Sequence, residues 1–116
     1  MSARRRRSAA DLLSEALTHL QLAQQHGTGD LTSQLVIDAV SLRLAAAIDA
    51  LSALPEEVLD EHFGSIWVSL KGMRNRIVHG YLLVDPRIVS RTVERDVPDL
   101  IARVAAALAG QQGTSR

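Results

Sequence analysis

The chain contains no cysteine, which excludes a disulfide framework and any thiolate-held metal centre. Aromatic residues are nearly as scarce, with one Phe, one Trp and one Tyr in 116 residues. The core must therefore be aliphatic, and stacking of bases on aromatic platforms is excluded as a major recognition mode. Proline and glycine number only three and seven, and strand-type alternation of polar and apolar residues is rare. No apolar run approaches the roughly 18 residues of a membrane helix. The basic start "MSARRRRSAADLL" leads into mixed polar residues, unlike the uninterrupted apolar segment of a secretory signal. A cytoplasmic protein without a membrane partner is expected.

What is present favours helices. Hydrophobic residues make up 47% of the chain, and Ala and Leu dominate them. The length fits one domain with a core of its own. A first helix is expected from Ser8 to His26, capped by Ser8 with Asp11 three residues on and stopped by Gly27, its core face carrying Leu13, Ala16, Leu17, Leu20 and Ala23. A second runs from about Leu31 to Leu54 with Ile37, Val40, Leu44, Ile48 and Leu51 buried, ending at Pro55. "PEEVLDEHFG" reads as a short acidic helical turn. A third helix starts near Ser65 and continues through Trp67, Leu70, Met73 and Ile77 to Gly80. Asp85-Pro86 reads as an N-cap and first-turn proline, opening a fourth helix to about Ala109 with a kink or break at Pro98. The fold class is therefore all-α: an antiparallel bundle of four to five helices over 8–109, with a disordered basic arm at 1–7 and a disordered tail at 110–116.

Formal net charge is zero, but the charges are not evenly spread. No acid occurs between Glu61 and Asp85, and that window holds Lys71, Arg74, Arg76 and His79. A neutral total is thus compatible with a basic face suited to a phosphate backbone. Metal and nucleotide enzymes are disfavoured. His19 and His26 lie seven residues apart on one helix, roughly 10 Å, too far to share an ion. No H-E-x-x-H pair, clustered carboxylates, Walker loop or G-x-G-x-x-G is found. No metal and no cofactor are expected.

The stretch "MRNRIVHGYLLVD", residues 73–85, gathers the reactive side chains. Two readings fit it. Cations in the last turns of a helix are favoured by the macrodipole, each by about 0.3–1 kcal/mol, and Asn75 and His79, four apart, can hydrogen-bond on an exposed face. Alternatively, the stretch supplies what RNA cleavage needs. The ribose 2′-hydroxyl already sits beside the phosphorus. It requires a base that titrates near neutrality, which His provides, and a cation for the charge developing on phosphoryl oxygens, which Arg provides. Five helical steps of about 100° put Arg74 and His79 about 140° apart around the axis. Both reach one phosphate only if the helix loosens before Gly80 or a second chain contributes, as in a symmetric dimer.

"RNRIVHGY" matches the R-x4-H-x-Y form of the HEPN superfamily, and the surrounding sequence resembles its HepT-like ribonuclease-toxin branch over roughly residues 30 to 105. "DAVSLRL" at 38–44 is similar to that family's second-helix pattern, "IWVSLKGMRNRIVHGY" to its Trp-led third helix, and "LLVDPRIV" to the start of its fourth. The resemblance implies a dimeric helical bundle with metal-independent endoribonuclease activity, serving as the toxin of a toxin–antitoxin pair. It implies that Arg74 binds the scissile phosphate, that His79 transfers protons and that Asn75 orients them. Tyr81 matches the tyrosine that a nucleotidyltransferase antitoxin modifies with AMP, which would place an anionic group at the cleft. The chain departs from the family where Ile48-Asp49-Ala50 stands for Gly-Glu-Ala. Asp49 keeps the charge on a shorter arm, and Ile48 prevents the close backbone approach that glycine allows. Ile66 replaces a proline before the Trp.

Several further residues carry two readings each. Arg87, Arg91 and Arg95 are spaced by four and form either a solvated face or a track along RNA backbone beside Lys71 and Arg76. Arg4 to Arg7 form a solvated tail or a non-specific RNA arm. Trp67 belongs to the core stripe. Asp38 either pairs with Arg74 across helices or is an ordinary exposed or capping acid. The alternative to a ribonuclease is a non-catalytic HEPN-fold dimer that binds RNA or a nucleotidyltransferase partner.

Overall fold

A computed structural model describes residues 7–80 and 85–114. The described residues contain helices and no strands, so the chain is an all-α bundle as expected. The helices are α1 (Ala9–His26), α2 (Gln34–Ser52), α3 (Glu56–His62), α4 (Ile66–Gly80), α5 (Pro86–Arg91) and α6 (Val97–Thr114), with a π-helical turn at Thr92–Asp96 between the last two.

α1 starts where the capping chemistry places it. The Ser8 hydroxyl accepts from the Asp11 N–H at 3.0 Å, and the Asp11 carboxylate accepts from the Ser8 N–H at 3.4 Å, a reciprocal cap. Arg7, assigned above to a disordered arm, instead pairs with Glu15 at 2.7 Å. That hydrogen bond holds the Glu15 carboxyl below its ordinary range. Arg4 to Arg6 lie outside the described residues.

α2 begins at Gln34, later than the apolar spacing suggests. Asp30 takes both the N–H and the hydroxyl of Thr32 on one oxygen, at 2.9 and 2.6 Å, and this side-chain turn holds the backbone out of the helix until Ser33. The stripe Ile37, Val40, Leu44, Ile48 and Leu51 is buried as expected. Ser41, Ala45, Ala47 and Ala50 are buried too, because α2 is central: it packs on α1, α4 and α5. α6 closes the bundle on the far side of α1 and also contacts α3. Leu13, Leu20, Val40, Leu51, Phe63, Val97, Leu100 and Val104 are the largest fully enclosed side chains.

Gly64, at φ +51°, makes the left-handed turn that reverses the chain between α3 and α4. Trp67 is half-buried and packs against the edge of the core, its ring tilted against Phe63 with centroids 6.5 Å apart. Of the α4 stripe only Leu70 is fully buried, so α4 lies at the rim of the bundle.

The irregularity expected at Pro98 falls just before it. Proline donates no hydrogen bond and its ring crowds the carbonyl four residues back. The backbone widens into the π turn, where the Val97 N–H reaches the Thr92 carbonyl five residues earlier. α6 then runs to Thr114, past the expected end near Ala109.

Gly27 stands in ordinary helical geometry (φ −67°), so conformational freedom does not explain it. A Cβ there would lie 2.6 Å from Val93 Cγ1 in the π turn. Gly27→Ala gains about 0.4–1 kcal/mol by restricting the unfolded chain but costs about 1–3 kcal/mol in overpacking. A net loss is expected, measured by urea unfolding. Adding Val93→Ala should recover part of it; strictly additive effects would show that the two residues do not touch.

Candidate functional site

The motif residues divide by the face of α4 they occupy. Arg74 turns inward to α2, and its Nε donates to Asp49 Oδ1 at 2.8 Å. The side chains are one-third and one-half exposed respectively, so the pair contributes at most about 1 kcal/mol to stability. Its main effect is geometric. The carboxylate holds the guanidinium by Nε, while both Nη groups make no hydrogen bond among the described residues and remain open to an anion.

His79 is exposed in the last turn of α4, as are Asn75 one turn earlier and Arg76 and Lys71. None of these four side chains has a hydrogen bond or ion pair among the described residues. The Asn75–His79 bond allowed by the spacing is not made. α4 is an unbroken α-helix through Gly80, so the loosening that would bring Arg74 and His79 together on one chain does not occur. They point about 140° apart.

Asp38 does not pair with Arg74, and that expectation is corrected. It accepts from Gln34 Nε2 on its own helix at 2.7 Å. α4 crosses α2 so that Arg74 meets Asp49, eleven residues beyond Asp38 and roughly 16 Å further along the axis. Tyr81 lies outside the described residues.

Arg87, Arg91 and Arg95 are all exposed. Arg87 is committed to Asp85, with Nη2–Oδ2 at 3.0 Å and its own N–H on Oδ1 at 2.8 Å. These bonds, side chain first and backbone second, hold the Asp85 carboxyl below its ordinary range. Arg91 and Arg95 have no acidic partner among the described residues. With Lys71 and Arg76 they supply uncommitted positive charge. No group of three or more His, Cys, Asp or Glu side chains able to hold a metal occurs among the described residues. No helix among them is long and apolar enough to cross a membrane.

Two features escaped the reading of the sequence. The Asp49–Arg74 pair links residues 25 apart, and its signal was the acid retained at the departure Ile48-Asp49-Ala50. The other is Ser41, which falls on the buried stripe between Ile37 and Leu44. A hydroxyl at a core position was the visible sign. Ser41 lines a cavity of about 220 Å³ between α2, α4 and α5, together with Leu44, Met73, Ile77, Ile88 and Arg76.

The family described as "Ribonuclease HepT-like" matches residues 13–107. A protein named "Putative RNase TTE0752" from Caldanaerobacter subterraneus subsp. tengcongensis is 32% identical over 56 residues, spanning 48% of this chain and 50% of that protein. The match thus covers about half the length of that relative. No solved structure matches the chain. The family match spans α1 to α6 and includes both Asp49 and the Arg74–His79 motif, and the protein belongs to the HepT-like ribonuclease family of the HEPN superfamily.

Proposed function

We propose that the protein is a metal-independent endoribonuclease that acts as a homodimer and serves as the toxin of a toxin–antitoxin pair. Family membership supports RNA as the substrate. The observation that carries the mechanism is the division of the motif on an unbroken α4: Arg74 anchored to Asp49, His79 exposed and uncommitted. A two-fold axis beside α4 brings the Arg74 of one copy and the His79 of the other to a shared cleft.

The chemistry then follows from the residues. One His79 takes the proton of the ribose 2′-hydroxyl at a ring nitrogen, and O2′ attacks the adjacent phosphorus. As the O2′–P bond forms and the P–O5′ bond breaks, charge gathers on the non-bridging oxygens, where the open Nη groups of Arg74 receive it. The second His79, protonated at the outset, gives its proton to the departing 5′-oxygen. The products are a 2′,3′-cyclic phosphate and a 5′-hydroxyl. The nucleophile is internal to the substrate, so no metal-activated water is needed. Asn75, one turn from His79, orients the reacting groups, and the uncommitted Lys71, Arg76 and Arg91 hold the backbone. Tyr81, placed by the R-x4-H-x-Y spacing, accepts AMP from a nucleotidyltransferase antitoxin, and the added phosphate repels RNA.

Purified protein should cleave end-labelled RNA in excess EDTA and leave cyclic-phosphate ends. His79→Ala should abolish cleavage while the protein stays folded. A folded, dimeric wild type that leaves several classes of RNA intact would instead point to a binding module.

Asp49 is a positioning residue with a separate signature. Asp49→Ala should slow cleavage about tenfold through misplacement of Arg74, yet change unfolding free energy by less than about 1 kcal/mol. Asp49→Glu should restore most of the rate. Equal rates for wild type and Asp49→Ala would remove Asp49 from the mechanism.

A further inference from the structure

The cavity between α2, α4 and α5 has an unusual lining for a gap between helices. Leu44, Met73, Ile77 and Ile88 give it apolar walls. Ser41, only 6% exposed, contributes a hydroxyl with no hydrogen-bond partner among the described residues. A serine inside a helix ordinarily bonds back to the carbonyl four residues earlier. Thr92, which lines the same cavity, does this to Ile88 at 2.8 Å, and Thr18 does it to Ser14 at 3.1 Å. Ser41 does not. A buried hydroxyl left unpaired costs about 1–3 kcal/mol, and a rotation about one χ1 bond is enough to re-aim it.

Charge narrows the class of ligand. Two charged residues line the cavity: Asp85, which is paired with Arg87 at 3.0 Å, and Arg76, which is exposed and has no acidic partner among the described residues, so a phosphate can be held on the Arg76 side of the apolar space. Size narrows it again. At about 220 Å³ the cavity falls below the roughly 300–1,000 Å³ of sites for drug-sized ligands. It suits one flat ring with a polar edge, attached to an anion outside. Position adds a third constraint, since Ser41 lies eight residues before Asp49 on α2, roughly 12 Å along the axis. A ring lodged there belongs to a nucleotide neighbouring the one cut at Arg74.

We propose that this cavity takes one unstacked nucleobase of the RNA strand, with its edge on the Ser41 hydroxyl and its phosphate on Arg76. The choice of ligand rests on the ribonuclease reading. Sequence-specific recognition of single-stranded RNA commonly works this way, through splayed bases read along their edges. The base is sandwiched by aliphatic side chains here because the chain has almost no aromatic ones.

The test is a binding measurement on His79→Ala protein, which keeps RNA intact and does not depend on turnover. Methyl resonances are followed while AMP, GMP, CMP and UMP are added separately, with ribose 5-phosphate as the baseless control. Expected are shifts at Leu44, Met73, Ile77 and Ile88 with at least one nucleotide and none at Leu13 or Leu20 across the bundle. Ser41→Ala should weaken the preferred nucleotide about fivefold while leaving the melting temperature unchanged or higher, because it removes an unpaired buried group. Ile88→Trp, changed at a half-exposed wall residue, should block binding. Silence with all four nucleotides, or equal shifts from ribose 5-phosphate, would overturn the base site. Cleavage by the wild type without such shifts leaves the ribonuclease standing and removes this pocket; shifts without cleavage do the reverse.

Discussion

The burial of α2 on more than one face is the constraint on which the rest depends. An amphipathic helix buries one stripe, but α2 encloses Ala45, Ala47 and Ala50 as well as the Ile37–Leu51 stripe. Small side chains at those positions let α1, α4 and α5 approach together. The same helix carries Asp49, which anchors Arg74, and Ser41, which lines the cavity. Core and candidate site therefore share one scaffold. A shift of α2 along its axis would displace the Arg74 anchor and the cavity wall together. A scaffold of this kind fixes the direction of the Arg74 guanidinium through Asp49.

α4 has a contrasting role. It buries only Leu70 completely and lies in the stretch that lacks acids. Its stability comes from a narrow apolar edge, so most of its surface is free to carry cations. No carboxylate on its own helix neutralises Lys71, Arg76 or His79, and among the described residues the one acid paired with the motif comes from α2. Asp49 meets Arg74 at Nε and leaves both Nη groups without a hydrogen bond among the described residues. The positive field thus survives on the outer face while one member is fixed in direction. A more acidic α2 would have neutralised the site.

Local chemistry made much of this legible in the sequence. The Ser8–Asp11 cap, the Ile37–Leu51 stripe and the Asp85-Pro86 helix start depend on neighbouring residues, and each is found. The motif was visible because its residue types and spacing are rare in so aliphatic a chain. Features requiring three-dimensional register were not legible. The only partner for Arg74 visible in the sequence was Asp38, and the crossing of α4 over α2 selects Asp49. The start of α2 was missed because one Asp30–Thr32 turn outweighs apolar periodicity. Proline at 98 announced an irregularity, but not that it would take the form of a π turn closed by Val97.

The unbroken α4 carries the last step of the argument. Helix continuity and catalytic convergence compete at this sequence: with about 140° between Arg74 and His79, a single chain can satisfy one of them only by giving up the other. Continuity through Gly80 preserves the backbone bonds of the last turn and leaves His79 exposed there. Under the proposed ribonuclease mechanism, convergence is left to the association of two copies. Leu35 and Leu42, seven residues apart on α2, and Val78 on α4 are large apolar side chains exposed on the motif helix and on the helix that carries Asp49. Apolar surface of that kind beside uncommitted cations suits an interface whose rim is charged and whose cleft is open to RNA. In the proposed homodimer, association would assemble the reacting groups, and a monomer would keep the fold without the chemistry.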